Sequence, residues 1–353
     1  MTSPTREDNQ KETDSSYDPL FGPDVETETY EETNASVDSQ WESESDEHAD
    51  DMSTSASEGE EPFVPESATE PEKVDVEVEP PLQSETETAE PQSKKSFNWR
   101  PWVSPVLFAL VLLVNYLSAT ATGLPRTLAE VAATYPNLVE PASFTFSIWS
   151  VIYGLTILPI IVEFIPLVDR ETRDVYKRKI RPFAWLWMVL NIAWVFAWTY
   201  NQILLSMVLI FAYGFTLALM TDKLSKIEQS KRKFWFLTLP MSIHFGWIIV
   251  ANVANLTTMM VDFGFDGIGM MGAFWAIAAL TLVMLLGLFF YRSQGTMLVM
   301  LPAFWTLIGV IAQQAPTSSY PFANTFVFVA SIVLFVLGII VVTGIELARR
   351  QKK

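Results

Sequence analysis

Along the chain, a long polar stretch gives way after Ser93 to a series of apolar runs. Eight of these runs are each near the roughly 20 residues that an α-helix needs to cross a hydrocarbon layer. They predict spans at about 102–121, 144–165, 182–200, 203–221, 236–260, 271–291, 296–313 and 324–347. The third and fourth are separated only by Asn201 and Gln202, which predicts a tight helical hairpin. The fold class expected is an all-α polytopic membrane protein with eight transmembrane helices.

Several of these runs are more polar than contact with lipid requires. Polar side chains within a span are expensive, and they usually face a bundle interior or a cavity. At about 100° per residue, His244, Trp247, Ala251 and Asn255 share one face of the fifth run, with Asn252 beside them. Trp149, Tyr153, Thr156 and Glu163 share a face of the second, and Trp187, Asn191, Trp194 and Trp198 a face of the third. In the first, Asn115, Ser118, Ala119 and Thr122 cluster likewise. Four of the first five helices thus offer faces that suit one shared pocket, apolar with a few orienting polar groups. The competing reading is packing: tryptophan stripes fill cores, and asparagines hydrogen-bond across helices for roughly 0.6 kcal/mol each. Trp102, Trp185, Trp235 and Trp305, near span ends, read as interface anchors. Glu163 is placed to reach the basic loop that follows it. His244 lies too deep to snorkel, and an imidazole there can orient a ligand or titrate near neutral pH. Spans six to eight read as packing partners, with Gln313 and Gln314 at an end. Pro159, Pro240 and Pro302 are expected to bend or start helices and to free a carbonyl each.

Charge adds sidedness. Of the chain's 40 Asp+Glu and 23 Lys+Arg residues, 29 acidic and three basic ones fall in residues 1–93. So acidic a stretch, poor in apolar residues, cannot offset its ordering entropy, and it reads as a disordered cytoplasmic tail. Among the 20 basic residues after Ser93, 19 fall in alternate loops and the ends; Arg126 alone does not. The positive-inside rule then places both termini on the cytoplasmic side of a cell membrane. Three regions follow: the tail at 1–93, a bundle at 102–260, and three additional helices with a basic end at 261–353.

Other chemistry is excluded or unsupported. With no Cys there are no disulfides and no thiolate metal sites. His48 is the only other histidine, so no metal site is expected. No phosphate loop, nucleophile elbow or metalloprotease helix occurs, which argues against an enzyme. Basic loops are explained by topology and anionic lipid, not by nucleic acid.

Three motifs carry a resemblance. The runs FSIWSVIYG (Phe146–Gly154), LNIAW (Leu190–Trp194) and LPMSIHFGWIIVANVAN (Leu239–Asn255) resemble the TspO/MBR family of tryptophan-rich sensory or translocator proteins. The matching positions are Trp149 and Tyr153, Asn191 and Trp194, then Pro240, Trp247, Ala251 and Asn255. The resemblance covers about Asn115 to Met260, which is five spans. It implies a five-helix bundle with a pocket for a tetrapyrrole (porphyrin) or sterol-like hydrophobic ligand, no required cofactor, and pairing into homodimers. The chain departs from the family in two ways. Its first loop has Pro136 and Pro141 but lacks the family's Trp and Pro-Pro pair, and three further helices and the acidic tail lengthen it. It looks like a divergent, longer branch, in which His244 has no family counterpart.

The leading expectation is therefore a non-enzymatic membrane protein that binds a hydrophobic small molecule among spans one to five. Trp149, Tyr153, Asn191, Trp194, Trp198, His244, Trp247 and Asn255 would line the site. The alternatives are a secondary transporter of a small solute, with His244 and Glu163 as proton-relay candidates, and a membrane anchor whose acidic tail recruits a partner.

Overall fold

A computed structural model of the chain describes residues 98–351; the acidic stretch 1–93 lies outside them. All regular structure among the described residues is helical. Eight helices are long and apolar enough to cross a membrane: Arg100–Thr120, Ser143–Ile161, Arg170–Thr199, Ile203–Ser225, Lys231–Asp262, Met270–Gln294, Met297–Gln314 and Thr325–Gln351. They follow the order read from the apolar runs, and the protein is a multi-pass membrane protein.

The spans depart from the predicted boundaries where prolines meet basic loops. The third span starts at Arg170, so most of the basic loop expected at 166–181 is helix. Within it, Tyr176–Ile180 forms a π-turn just before Pro182. The fifth span does the same, with a π-turn at Phe234–Thr238 just before Pro240. The seventh tightens instead, through a 3₁₀ turn at Met297–Met300 before Pro302. A proline has no N–H, and its ring collides with the carbonyl four residues back. Changing the winding in the turn before it relieves that demand, so these helices continue through their prolines.

Ion pairs hold the face that carries the basic loops. Arg181 Nη1 donates to both Glu163 oxygens at 3.0 and 3.2 Å, with the Glu163 side chain almost fully buried. Lys233 joins the start of the fifth span to Glu171 of the third and to the Glu228 carbonyl. Asp169 caps the third span, accepting from Thr172 N–H at 2.8 Å. That bond holds the Asp169 carboxyl below its ordinary range.

On the opposite face the loop after the first span contains a short helix, Leu128–Thr134. Thr127 and Glu130 form a reciprocal capping box. The loop is tied down by side chains from several spans. Trp198 Nε1 donates to the Leu128 carbonyl at 3.0 Å, Asn201 Nδ2 to the Tyr135 hydroxyl at 2.8 Å, and Gln314 Nε2 to the Leu138 carbonyl at 3.0 Å. Asn201 turns the short hairpin between the third and fourth spans in the left-handed region, at φ 58°, a conformation asparagine tolerates well.

The fifth span is the hub, packing against the second, fourth, sixth and seventh. Gly246 lets it approach the seventh: a Cβ there would meet the Val299 carbonyl and the Pro302 ring.

Candidate functional site

The sequence-predicted residues divide into two groups along the fifth span. His244 and Asn255 are eleven residues apart, which on an α-helix is about 16 Å of axis.

Around His244 the groups are mainly aromatic. The Trp187 ring meets the imidazole edge-on at 4.8 Å between centroids, and Tyr213 stacks on Trp187 at 5.8 Å with the planes 7° apart. The Tyr213 hydroxyl lies 2.5 Å from His244 Nε2. From the second span, Trp149 approaches His244 at 6.3 Å and Trp247 at 6.0 Å, both edge-on, and stacks on Tyr153 at 5.3 Å. Phe146 meets Trp247 at 6.3 Å, and Phe108 of the first span meets Tyr153 at 6.2 Å. These rings pack against one another, and this aromatic cluster, the chamber, is graded in exposure. His244, Tyr213, Trp187 and Trp247 are buried, Trp149 and Tyr153 are half-buried, and Phe146 is exposed on the bundle's flank.

Three buried polar atoms of this chamber have no hydrogen-bond partner among the described residues: Trp187 Nε1, Trp247 Nε1 and His244 Nδ1. Buried polar groups are hydrogen-bonded in the great majority of cases, so three orphans in one chamber need an explanation. An indole N–H can only donate. When the Tyr213 hydroxyl donates to Nε2, the proton of a neutral imidazole sits on Nδ1, which is then a third donor. The cluster therefore combines packed aromatic rings with donors that lack acceptors among the described residues.

Around Asn255 the bonds are made. Its Oδ1 accepts from Trp194 Nε1 at 3.2 Å and from Ser206 Oγ at 3.4 Å, and its Nδ2 donates to the Ala251 carbonyl at 2.9 Å. Trp198 tilts against Trp194 at 5.9 Å and is bonded to the loop helix. Asn191 lies between the groups and accepts from Asn115 Nδ2 at 2.9 Å, joining the third span to the first; its own Nδ2 is without a partner among the described residues.

Thus Trp149, Tyr153, His244 and Trp247 come together, while Trp194, Trp198 and Asn255 belong to a separate bonded cluster. Tyr213 was not foreseen as a site residue. The signal was present, because a tyrosine deep in an apolar run needs a partner for its hydroxyl. Trp187, on the third-span face that the sequence offers to a shared pocket, comes together with His244 and Tyr213. Glu163 is engaged by Arg181, in line with its reading as a partner of the basic loop. Of the presumed anchors, Trp102 and Trp235 are exposed, whereas Trp185 and Trp305 donate inward, to Ser104 Oγ and to the Thr145 carbonyl.

No curated protein and no solved structure matches the chain. A family model described as TSPO-like protein matches residues 101–343. That match runs well past Met260 into the eighth span, further than the motifs of the first five spans reach. It covers more than half of the sequence, and the chain belongs to the TSPO-like protein family.

Proposed function

We propose that the aromatic chamber around His244 binds a hydrophobic, flat ligand that carries acceptor oxygens, of the tetrapyrrole or sterol-like class. The observation that carries this reading is the set of three partnerless donors, Trp187 Nε1, Trp247 Nε1 and His244 Nδ1, among stacked rings. The rings of Trp149, Tyr153, Trp187 and Trp247 supply apolar area and stacking. The donors fix orientation, which is the division of labour in small-molecule sites. Half-buried Trp149 and Tyr153, with Phe146 beside them, give the ligand a way in from the lipid phase. Trp194, Trp198, Asn191 and Asn255 serve in this reading as the frame that holds the third, fourth and fifth spans at the chamber.

The protein acts as a binder, sensing or carrying its ligand, and not as an enzyme. The alternation of basic loops supports an orientation with both termini on the cytoplasmic side of the cell membrane, and the resemblance to the family favours a homodimer. A reporter fused after Lys353 should read as cytoplasmic; an extracellular signal would overturn that orientation.

The test of binding uses the full chain in detergent. Adding a porphyrin should quench tryptophan fluorescence saturably, and Trp247→Ala should weaken the quenching at least tenfold. Absence of saturable binding by both porphyrins and sterols would sink the proposal.

A further inference from the structure

Tyr213 enters the aromatic chamber from the fourth span. It is fully buried, and two ring contacts hold it. Its ring lies nearly parallel to Trp187, and it meets the His244 imidazole edge-on at 5.6 Å, with the planes 88° apart. These contacts aim its hydroxyl at His244 Nε2, which is 2.5 Å away and is the hydroxyl's hydrogen-bond partner among the described residues.

The rings of Trp149, Trp187 and Tyr213 pack around His244, which is itself fully buried. An imidazolium there would be a buried charge without a countercharge, so the ring is neutral and carries one N–H. That proton has two places to sit. On Nε2 it would be donated to the Tyr213 oxygen. The Tyr213 proton would then lack an acceptor, and the Nδ1 lone pair would lack a donor, among the described residues. On Nδ1 it leaves Nε2 free to accept from the Tyr213 hydroxyl, and the Nδ1–H alone is left over. The second arrangement leaves one polar group unmade instead of two. In a membrane interior, where water cannot make up the difference, it is the less costly one.

We infer that Tyr213 is a positioning residue that sets the polarity of the chamber. By donating to Nε2 it fixes the His244 proton on Nδ1, because the bond made by one ring nitrogen decides which tautomer is present. All three unpartnered atoms, Trp187 Nε1, Trp247 Nε1 and His244 Nδ1, are then donors. Without the Tyr213 hydroxyl the proton is free to move to Nε2, and Nδ1 becomes an acceptor among donors. The preference for an acceptor oxygen at His244 is thus decided by a side chain that need not touch the ligand. This inference rests on the binding reading above and deepens it.

The experiment has two arms, both on the full chain in detergent. The first uses NMR with isotope-labelled histidine, in a His48→Gln background that leaves His244 as the only histidine. The protonated ring nitrogen is identified from its couplings to the two ring C–H protons. It should be Nδ1, and Tyr213→Phe should populate the Nε2–H form. A protonated Nε2 in the unsubstituted chamber, or a proton wholly on Nδ1 in folded Tyr213→Phe, overturns the inference; should that variant fail to fold, the first of these results still decides. The second arm titrates anthraquinone, which brings acceptor oxygens, against anthracene, which brings none. Anthraquinone should bind more tightly, and Tyr213→Phe should weaken it about tenfold while leaving anthracene unchanged. An equal loss for both probes would mean that Tyr213 only packs, and would also overturn the inference. If neither probe, porphyrin nor sterol binds, the binding reading fails and the inference about ligand preference fails with it. If the probes bind but the proton sits on Nε2, the inference fails alone.

Discussion

Two clusters of aromatic and polar side chains lie about 16 Å apart along the fifth span. They are made of similar parts, yet their hydrogen bonds are completed differently. Around Asn255, the indole of Trp194 and the hydroxyl of Ser206 both find the amide oxygen. Around His244, two indoles and one imidazole nitrogen find no partner among the described residues. In a membrane interior an unmade hydrogen bond has no water to fall back on. The first cluster therefore reads as structure and the second as a place prepared for something else. The lesson is that tryptophan content and helical periodicity do not separate the two roles, whereas the donor and acceptor balance does.

The comparison is broken most forcefully at Asn255. Asn255→Leu leaves the Trp194 indole N–H buried without its acceptor, while Ser206 keeps its bond to the Ile203 carbonyl, at a cost of about 1–3 kcal/mol. Thermal unfolding in detergent should show a loss of several degrees, with ligand binding at the chamber retained by the folded fraction. An unchanged melting temperature would remove the structural role given to this cluster.

The next effect is on binding rather than on stability. Trp247→Phe removes a donor that has no partner among the described residues, so it costs the fold only the lost ring volume and no hydrogen bond. Porphyrin or sterol affinity should fall about tenfold, equivalent to about 1.4 kcal/mol. The mirror substitution, Trp194→Phe, should destabilise and spare binding. If the two variants behaved alike, the distinction between the clusters would fail.

The smallest effect extends the contrast to the loop opposite the basic face. Glu130 is satisfied by the capping box, and the Thr127 backbone N–H holds its carboxyl below the ordinary range. Glu140, half-buried, is pushed above that range by desolvation. A carboxyl whose pKa is raised by folding supports the fold below its unfolded pKa. That support is lost as pH rises through the folded value. Glu140→Gln should flatten the fall in melting temperature between acid and neutral pH, by less than the Asn255→Leu effect. A wild-type profile already flat across that range would contradict it.

The membrane spans were legible because the bilayer demands long apolar runs, and Asn201-Gln202 marked the hairpin by being too short for anything else. The start of the third span was not legible from hydropathy, since Arg170 to Arg181 has no apolar run. Its helix is held by an Asp169 cap and by the Glu163 and Lys233 ion pairs, contacts that join distant residues. The cap itself could have been read from Asp169 with Glu171 in the first turn, as the loop helix could from Thr127 and Glu130. The stripes on spans two, three and five pointed to inward faces correctly. They could not say that Trp194 would be satisfied and Trp247 not, because Trp194 and Asn255 meet only after the third and fifth spans pack.

The π-turn at Phe234–Thr238 has a consequence for how the fifth span tolerates change in length. A π-turn accommodates one residue more than the α-helical winding around it. The phase of everything beyond it is set by that single extra residue. Removing one residue from this turn would restore ordinary winding and rotate the rest of the span by about 100°. His244 and Trp247 would then turn away from Trp187 and Trp149, while the composition of the apolar run stayed almost the same. An insertion or deletion here is thus a rotation and not a shortening, and hydropathy alone would not register it.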